Sequence, residues 1–443
     1  MRWLLNCLYL DVLLCALPYW LWKIPQARRY RAGVPERLGF SPRMDDGRRR
    51  LWIHCSSVGE ASIPRKLVEE FRESYPDWDV VFSTFTDTGA ERLRKLYPDC
   101  TVFYWPLDLS FCVENCLNRV EPSAVVLVEL EVWPNFMDAC ARMGIPVSII
   151  NGRISDRSAH ALRCLSRLVP RLWKPVELCC ARSGVDARRF AATGIGEERV
   201  FNLGSLKYDA LHMQADSDKV KALQRQFRLA PDAPVLVAGS THAGEEDIIC
   251  QVYVELKREF SDLRLIIVPR HIERAEKVAA RIGSFNLPFS RKTELDADRT
   301  SVTGDEAILV DTIGDLVACY DLATCVFVGR SLKPPGGGQN MMEPAALGKP
   351  VLVGPHTGNF KPEMALLKQE DAVLQVQDAE ELWRQLHRLL SDRQFARAQG
   401  GRARAAVLRS QGATMRTFRK LQRMLEGKGL CADSARSAGC SGC

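Results

Sequence analysis

The feature that most constrains the fold is a regular alternation between short apolar runs, rich in β-branched residues, and longer stretches whose apolar residues have helical spacing. Such an alternation builds parallel sheets that are covered by helices. A chain of 443 residues is also too long for a single core. The sequence therefore predicts an α/β protein with two Rossmann-like, doubly wound domains that face a cleft and are joined near residues 208–232.

The candidate strands fall into two groups. In the first half of the chain they are 51–55, 79–84, 101–105, 124–128, 147–151, 177–181 and 200–204. In the second half they are 235–239, 264–268, 307–311, 324–328, 350–354 and 372–376. Ligands of doubly wound sheets bind at the carboxyl ends of the strands, so we expect functional residues directly after these runs.

The N-terminus carries an apolar stretch, residues 3–22, that is interrupted only by Asn6, Asp11 and Pro18. As a helix this stretch is long enough to cross about 30 Å of hydrocarbon. Basic residues follow it, which favours a cytoplasmic position for the rest of the chain. We expect residues 1–27 to form a single membrane anchor and residues 28–50 a basic linker. A helix lying in the membrane interface, a cleaved signal and a buried helix are the alternatives.

Charge is distributed unevenly along the chain. Residues 1–50 carry ten Lys or Arg against four acids, and residues 384–423 carry eleven against one. The net charge is +7, so the part between these segments is net acidic. An enzyme that acts on nucleic acid would be expected to carry its basic residues across the working domains. The distribution therefore argues against a nucleic-acid partner and suggests an anionic membrane surface at the two ends.

Carboxylates follow two of the predicted strands in the first half. Glu60 lies a few residues after the strand at 51–55, where a helix is expected to begin. It is either a carboxylate that stabilises the helix N-terminus or a functional group. Glu129 and Glu131 close the apolar run 124–128. Because isolated buried charge is costly, these two residues form either a satisfied polar network or an active-site pair.

The second half contains segments that suit a nucleotide. Ser240 and Thr241 belong to a turn of small residues between a strand and a helix, where backbone N–H groups can hold phosphate. Arg270 ends the next strand and suits a base edge or a phosphate. Asn340 and Glu343 follow a glycine-rich loop and are three residues apart, on one helix face. A carboxylate at this place can accept both hydroxyls of a ribose.

The sequence lacks the motifs that are typical of metal sites, of nucleotide-hydrolysing phosphate loops and of serine nucleophiles. The histidines are dispersed, and the sequence has no H-E-x-x-H, no Cys/His ligand spacing, no phosphate-binding loop ending in G-K-[ST] and no G-x-S-x-G. No strand leads into G-x-G-x-x-G, which disfavours a dinucleotide oxidoreductase. We expect neither a metal site nor a cofactor.

The motifs S-S-V-G-E, E-L-E-V-W-P-N, G-S-L-K, G-S-T-H-A-G-E-E, V-P-R-H-I-E-R, D-T-I-G-D-L, G-G-G-Q-N-M-M-E-P and G-P-H-T-G-N-F occur in this order between residues 56 and 360. Together they resemble the 3-deoxy-D-manno-octulosonic acid (Kdo) transferases. The resemblance implies a GT-B glycosyltransferase at the bacterial inner membrane that moves Kdo from CMP-Kdo to a lipid A precursor, without a metal or cofactor. It also implies an acceptor domain at 51–210, a CMP-Kdo-binding domain at 225–400, a C-terminal helix at 401–430 that returns to the N-terminal domain, and a flexible tail at 431–443.

The resemblance also implies roles for single residues. Glu60 matches the general base of the family, and Glu129 and Lys207 match its proposed transition-state stabilisers. We expect Ser240 and Thr241 to help Lys207 stabilise the leaving phosphate. The segments that match the CMP contacts of the family are Pro269 and Arg270; Ile313, Gly314 and Asp315; and Asn340, Met341, Met342 and Glu343.

Two of these segments depart from the family pattern. The family commonly has M-G-E where this chain has Ile313-Gly314-Asp315, and G-G-H-N where this chain has Gly337-Gly338-Gln339-Asn340. Gln339 can form hydrogen bonds but cannot titrate. Donor affinity and donor preference are therefore the properties that these departures put in doubt.

Two rival functions come from other classes. A GT-B transferase or epimerase that uses another nucleotide sugar would share the fold and the ribose-binding carboxylate, and melting shifts with CMP and with UDP would distinguish it. A catalytically silent, membrane-bound nucleotide-sugar-binding protein would bind CMP without turnover.

Overall fold

The computed structural model describes Asn6, Tyr9 and residues 33–296 and 306–431. These residues form two compact units. Unit 1 comprises the chain up to Ala210 together with the part from Gln411 onward, and unit 2 comprises Leu211–Ser410.

Unit 1 is built on a sheet of seven parallel strands in the order β3-β2-β1-β4-β5-β6-β7. The strands are β1 (Arg49–His54), β2 (Trp78–Thr84), β3 (Thr101–Tyr104), β4 (Ala124–Val128), β5 (Val147–Gly152), β6 (Val176–Ala181) and β7 (Val200–Asn202). The helices are α1 (Val34–Arg37), α2 (Arg65–Ser74), α3 (Asp87–Leu96), α4 (Ser110–Val120), α5 (Pro134–Met143), α6 (Asp156–Leu168) and α7 (Gly184–Ala191).

Unit 2 repeats this architecture with a sheet in the order β10-β11-β9-β8-β12-β13-β14. Its strands are β8 (Val235–Thr241), β9 (Arg264–Pro269), β10 (Phe289–Arg291), β11 (Ala307–Leu309), β12 (Cys325–Val328), β13 (Val351–Val353) and β14 (Leu374–Gln375). Its helices are α8 (Ser217–Gln226), α9 (Glu245–Lys257), α10 (Ala275–Ser284), α11 (Lys292–Asp296), α12 (Leu316–Leu322), α13 (Met342–Ala346), α14 (Lys361–Gln369), α15 (Ala379–Ser391) and α16 (Arg393–Ser410).

Both faces of the first sheet are buried, which explains why its strands are continuous apolar runs instead of alternating ones. All five residues of β4 are buried. One face packs against α2 and α3, and the other packs against α4 to α7. The α/β class with two parallel sheets, predicted from the alternation of runs, is confirmed.

The last helix, α17 (Ala413–Gly427), follows unit 2 in the chain but packs on unit 1. Phe418, Leu421 and Leu425 are buried in the same core as α2 and α3. The chain passes from unit 2 back to unit 1 after Ser410. The reason is that α16 continues to Ser410, with Val407 buried in unit 2.

Strand β10 has no counterpart among the predicted strands. It has three residues, only Ser290 of them fully buried, and it pairs only with β11 at the edge of the sheet. So short a segment with polar residues carries no periodic signal. Its existence depends on the neighbouring strand.

The expected anchor, residues 1–27, lies outside the described residues except for Asn6 and Tyr9. Both residues are helical and both contact other residues of unit 1. The Asn6 amide donates to Ser110 Oγ at 2.7 Å, and the Tyr9 hydroxyl donates to Asp108 Oδ2 at 3.0 Å. Among the helices that the structure describes, none has the length and apolar character needed to span a bilayer.

Candidate active site

In each sheet the strand order reverses beside the first strand, between β1 and β4 and between β8 and β12. Such switch points are where doubly wound sheets bind ligands. Non-glycine residues with positive φ lie at three of these four strand ends: Glu129 (64°), Ser240 (55°) and Arg330 (55°). This backbone conformation is unfavourable for residues with a side chain, and such strain concentrates at functional sites.

Glu60 lies in the loop after β1, and its carboxylate is held by three hydrogen bonds. Oε2 accepts from the Ser56 N–H at 2.8 Å. Oε1 accepts from Ser56 Oγ at 2.6 Å and from Ser57 Oγ at 3.0 Å. The expected position of Glu60 at the start of a helix is not observed, because α2 begins only at Arg65 and Glu60 belongs to the preceding turn. The small residues before it serve to donate to its carboxylate.

Glu129 and Lys207 form an ion pair. Lys207 Nζ lies 3.0 Å from Glu129 Oε1, although the two residues are 78 positions apart in the chain. Lys207 belongs to a short 3-10 turn, Leu206–Tyr208, that follows β7. Asn151 at the end of β5 fixes this turn, because its Oδ1 accepts from the Leu206 N–H at 3.1 Å. The fold therefore brings together two of the residues that the resemblance selected.

Glu131 lies beside this pair and has a different environment. The Trp133 indole N–H donates to Glu131 Oε2 at 3.0 Å. Burial raises the pKa of Glu131 to about 7, with a further contribution from the negative charges of Glu60 and Glu129, while hydrogen bonds from Trp133 and Ser56 oppose the rise. The first switch point thus holds a carboxyl group that titrates near neutral pH, next to two other carboxylates.

Sequence reasoning noted Glu131 as half of a carboxylate pair but assigned a role only to Glu129. It also missed Asn151. The i, i+2 spacing of the two glutamates was a usable signal for Glu131, whereas a single asparagine at a strand end carries none.

In unit 2, the switch point is organised by Glu245, whose side chain is completely buried. Its two oxygens accept from the backbone N–H groups of four residues, which belong to the loops after β8 and β12. These donors are His242 at 2.9 Å, Arg330 at 2.7 Å, Ser331 at 2.8 Å and Leu332 at 3.0 Å. Glu245, the first glutamate of the motif G-S-T-H-A-G-E-E, thus connects the loop after β8 with the loop after β12.

Ser240 and Thr241 close strand β8 and do not form the turn that the sequence suggested; the turn follows them. The Arg270 N–H donates to the Thr241 carbonyl at 3.2 Å, which joins the ends of β8 and β9. A side chain at Gly239 would place its Cβ 2.3 Å from the Tyr320 hydroxyl, so the strand needs glycine there.

Asn340 precedes α13, so it is not on a helix face with Glu343 as expected. Its Oδ1 accepts from the Met342 N–H at 3.1 Å, and its Nδ2 donates to Glu343 Oε1 at 2.9 Å. Burial raises the pKa of Glu343, opposed by the hydrogen bond from Asn340 and by the electrostatic influence of the nearby His212 and Arg270 side chains. Met341 and Met342 are buried, so their side chains support the loop.

The segment 313–315 follows β11. Ile313 is 83% exposed, whereas Asp315 is buried. Asp315 Oδ1 lies 2.8 Å from Lys219 Nζ, and Oδ2 lies 3.6 Å from Lys292 Nζ. Although burial opposes it, the bonds from Lys219 and Thr312 and the charge of Lys292 hold the pKa of Asp315 below its usual value. Pro269, at the end of β9, lies on the neighbouring strand.

In the part of the chain that the structure describes, no three His, Cys, Asp or Glu side chains are grouped as ligands of a metal ion.

Comparison with known proteins agrees with this architecture. Residues 32–210 match the family model of the 3-deoxy-D-manno-octulosonic-acid transferases (kdotransferases). The chain is 32% identical over 403 residues to the 3-deoxy-D-manno-octulosonic acid transferase of Haemophilus influenzae. The aligned region covers 90% of this chain and 92% of that protein.

Two solved structures share the fold at low sequence identity. A glycosyltransferase from Rickettsia africae has a TM-score of 0.55 at 12% identity, covering 86% of this chain and 98% of that chain. A UDP-GlcNAc 2-epimerase from Neisseria meningitidis bound to UDP-GlcNAc has a TM-score of 0.55 at 14% identity, covering 82% of this chain and 99% of that chain. These similarities support a GT-B-like fold. Because the similarity to the Haemophilus influenzae enzyme spans nearly all of both chains, the chain belongs to the 3-deoxy-D-manno-octulosonic acid (Kdo) transferase family and is a glycosyltransferase.

Proposed function

We propose that the protein transfers Kdo from CMP-Kdo to a lipid A precursor of the lipid IVA type, by direct displacement with inversion at the anomeric carbon. The observation that carries this proposal is the group of Glu60, Glu129 and Lys207 at the switch point of sheet 1. A positioned carboxylate and a nearby cation are the two groups that such a displacement requires.

Glu60 is the general base of this mechanism. It takes the proton from a glucosamine hydroxyl of the acceptor while that oxygen attacks the anomeric carbon. The bond from the anomeric carbon to CMP breaks, and the electron pair leaves on the phosphate oxygen. The Lys207 ammonium, oriented by Glu129 at 3.0 Å, stabilises the developing negative charge.

Unit 2 holds the donor in this proposal. Glu343 accepts hydrogen bonds from the ribose, and Asn340 fixes its orientation. Arg270 meets the phosphate beside the strand end at Ser240 and Thr241. The exposed loop at Ile313 and Gly314 contacts the nucleotide, and the ion pairs of Asp315 keep that loop in place.

The membrane placement follows from the acceptor, which is confined to the bilayer by its acyl chains. The apolar stretch 3–22 and the basic linker would hold the chain at an anionic inner-membrane surface. Asn6 supports a close relation between this stretch and the site. Its Oδ1 accepts from Asn135 Nδ2 at 3.1 Å, four residues after Glu131.

Replacing the base tests the proposed chemistry. We expect Glu60→Gln to lower Kdo transfer by roughly 10²- to 10⁴-fold, because the amide keeps the hydrogen-bonding shape but cannot take a proton. Binding of CMP should be unchanged. The measurement is product mass after incubation with CMP-Kdo and a tetra-acyl lipid A precursor, together with calorimetric titration of CMP.

The matched control is Glu69→Gln, an exposed glutamate on α2 that pairs only with Arg65 at 3.1 Å among the contacts described. It should transfer Kdo like the unchanged protein. Transfer by Glu60→Gln within a few-fold of the unchanged protein would remove Glu60 as the base. A larger melting shift with UDP than with CMP would favour another nucleotide sugar as donor.

A further inference from the structure

Arg330 lies at the switch point of unit 2 and has no role in the function proposed above. It is the second residue after β12, and β12 pairs with β8. The intervening Gly329 needs to be glycine, because a Cβ there would lie 2.5 Å from the Ser240 carbonyl oxygen and 2.6 Å from Thr241 Cα. The backbone that leads into Arg330 therefore packs against the end of β8, where the donor phosphate is proposed to bind.

The backbone conformation of Arg330 is one that favours glycine, with a φ of 55°. Two hydrogen bonds hold it there. The Arg330 N–H donates to Glu245 Oε2 at 2.7 Å, and the Arg330 carbonyl accepts from the Gly338 N–H at 2.7 Å. Both bonds use only the backbone, so glycine at this position could form them as well. The reason for an arginine must lie in its side chain.

The guanidinium group uses one of its three nitrogens within the protein. Nε donates to the Gly336 carbonyl at 2.9 Å, which directs the side chain along the glycine loop 336–338. Nη1 and Nη2 make no hydrogen bond or ion pair with any residue that the structure describes, and Arg330 is exposed. The N–H groups on these nitrogens form a planar fork that matches two oxygens of a phosphate group.

The charge of Arg330 is not taken up by the acid that holds its backbone. Glu245 is completely buried, and its two oxygens accept from four backbone N–H groups. Because a guanidinium is charged at every pH that a protein meets, Arg330 gives the loop after β12 a permanent positive charge. An anionic ligand at the switch point would find both a charge and two donors there.

We propose that Arg330 binds the phosphate of the sugar donor through Nη1 and Nη2. This assignment rests on the proposed function, because it requires that unit 2 holds CMP-Kdo. The phosphate would bind between the loop after β12 and the end of β8, in the crevice where doubly wound sheets bind ligands. Arg330 would then act together with Arg270, which follows β9 on the other side of β8.

Calorimetric titration of the full-length protein with CMP and with cytidine tests the assignment, since the two ligands differ only in the phosphate. Arg330→Gly removes the guanidinium and leaves a residue that accepts the observed φ. Its Kd for CMP should rise by about ten- to hundredfold, the range for a lost hydrogen bond between charged groups. Its Kd for cytidine should stay within about twofold, because no contact to the nucleoside is lost. The KM for CMP-Kdo should rise with the Kd for CMP.

Two further variants sharpen the test. Arg330→Lys keeps the charge but not the fork, so its Kd for CMP should lie between those of the unchanged protein and Arg330→Gly. Asn286→Gly is the matched control. Asn286 is exposed and also has a positive φ, 53°, but it precedes β10 and so lies toward the amino ends of the strands. This control should leave both Kd values unchanged.

The outcomes separate this assignment from the proposed function. If the unchanged protein binds CMP and Arg330→Gly binds it equally well, only the role of Arg330 is wrong. If Arg330→Gly loses affinity for CMP and cytidine to the same extent, Arg330 shapes the loop without binding phosphate, and the assignment again fails. If the unchanged protein prefers UMP to CMP, the proposed donor is wrong, but a loss confined to UMP over uridine in Arg330→Gly would still support the phosphate contact.

Discussion

At the scale of single residues, the polar groups near β1 behave differently because their partners differ. Glu129 has a cation at 3.0 Å, and Glu60 has three neutral donors. His54, the last residue of β1, is fully buried and packs against Trp105, with ring centroids 4.0 Å apart and the ring planes tilted by 43°. Its Nδ1 lies 2.9 Å from Ser83 Oγ, and its Nε2 has no hydrogen-bond partner among the described residues. Such a site favours the neutral imidazole.

His54 should make unit 1 sensitive to acid. Burial lowers the pKa of His54 to about 3, against 6.5 in the unfolded chain. Because the folded-state pKa is the lower one, the stability contributed by neutral His54 is complete above pH 6.5 and is lost as the pH falls toward 3. Between pH 8 and pH 5 the loss should reach about 2 kcal/mol, at about 1.4 kcal/mol per unit below 6.5.

His54→Gln removes this titration, so the Tm of the unchanged protein should fall more than that of the variant between pH 8 and pH 5. The control is His160→Gln on the exposed side of α6 in the same unit, which should follow the unchanged protein. Equal falls in Tm for His54→Gln and the unchanged protein would show that His54 is not the group responsible.

At the scale of elements, α17 shows how a helix distant in sequence completes a core. Its apolar stripe packs beside α2 and α3. Its N-terminus is capped by Asp209, which lies about 200 residues earlier in the chain. Asp209 Oδ1 accepts from the Gly412 N–H at 2.6 Å, and Oδ2 accepts from the Thr414 N–H at 2.5 Å. A buried carboxylate at this place satisfies free backbone donors and interacts favourably with the helix dipole.

Asp209→Ala should therefore loosen α17. Loss of a side-chain cap costs about 1–2 kcal/mol. Hydrogen exchange of the amides in 413–427 should become faster by about five- to thirtyfold, which is the same free energy expressed as a ratio. Asp209→Asn, which keeps one acceptor, should give an intermediate rate.

Asp216 provides the matched control, because it caps α8 in unit 2 through the N–H groups of Asp218 and Lys219. Asp216→Ala should leave the exchange of residues 413–427 unchanged. If Asp209→Ala exchanges at the rate of the unchanged protein, burial of the apolar stripe alone holds the helix.

At the scale of the whole molecule, the two ends of the chain carry the positive charge. Residues 1–50 have ten Lys or Arg against four acids, and residues 384–423 have eleven against one. On α17, Arg419 and Arg423 are exposed and four residues apart, so they lie on one face of the helix. If the chain lies at an anionic membrane, as proposed above, this distribution predicts an electrostatic contribution to binding beside that of the apolar stretch 3–22.

Removal of residues 1–24 should weaken binding to anionic vesicles without abolishing it at low salt, because each exposed basic residue near such a surface contributes about 1 kcal/mol. Higher salt should release the truncated protein, since the attraction is screened within about 10 Å at 0.1 M. Vesicle co-sedimentation measures both effects, with neutral vesicles as the control. If the truncated protein does not bind anionic vesicles at any salt concentration, the apolar stretch alone accounts for membrane binding and the electrostatic contribution is wrong.

The local sequence pattern was sufficient to predict most strands of the two sheets. The run 124–128 is a strand in the structure because five consecutive apolar residues, buried on both faces of a parallel sheet, are recognisable without knowledge of their neighbours. The positions of Glu60 and Glu129 after strands were visible for the same reason. Ordered motifs then identified the family.

Tertiary structure alone decided which strand ends meet. The pairing of Lys207 with Glu129 and the cap that Asp209 provides for α17 join residues that local periodicity does not relate. Strand order determines such contacts, and it results from the packing of the complete chain. The raised pKa of Glu131 depends first on burial and then on the charge of Glu60 from the loop after β1, and no local pattern contains either.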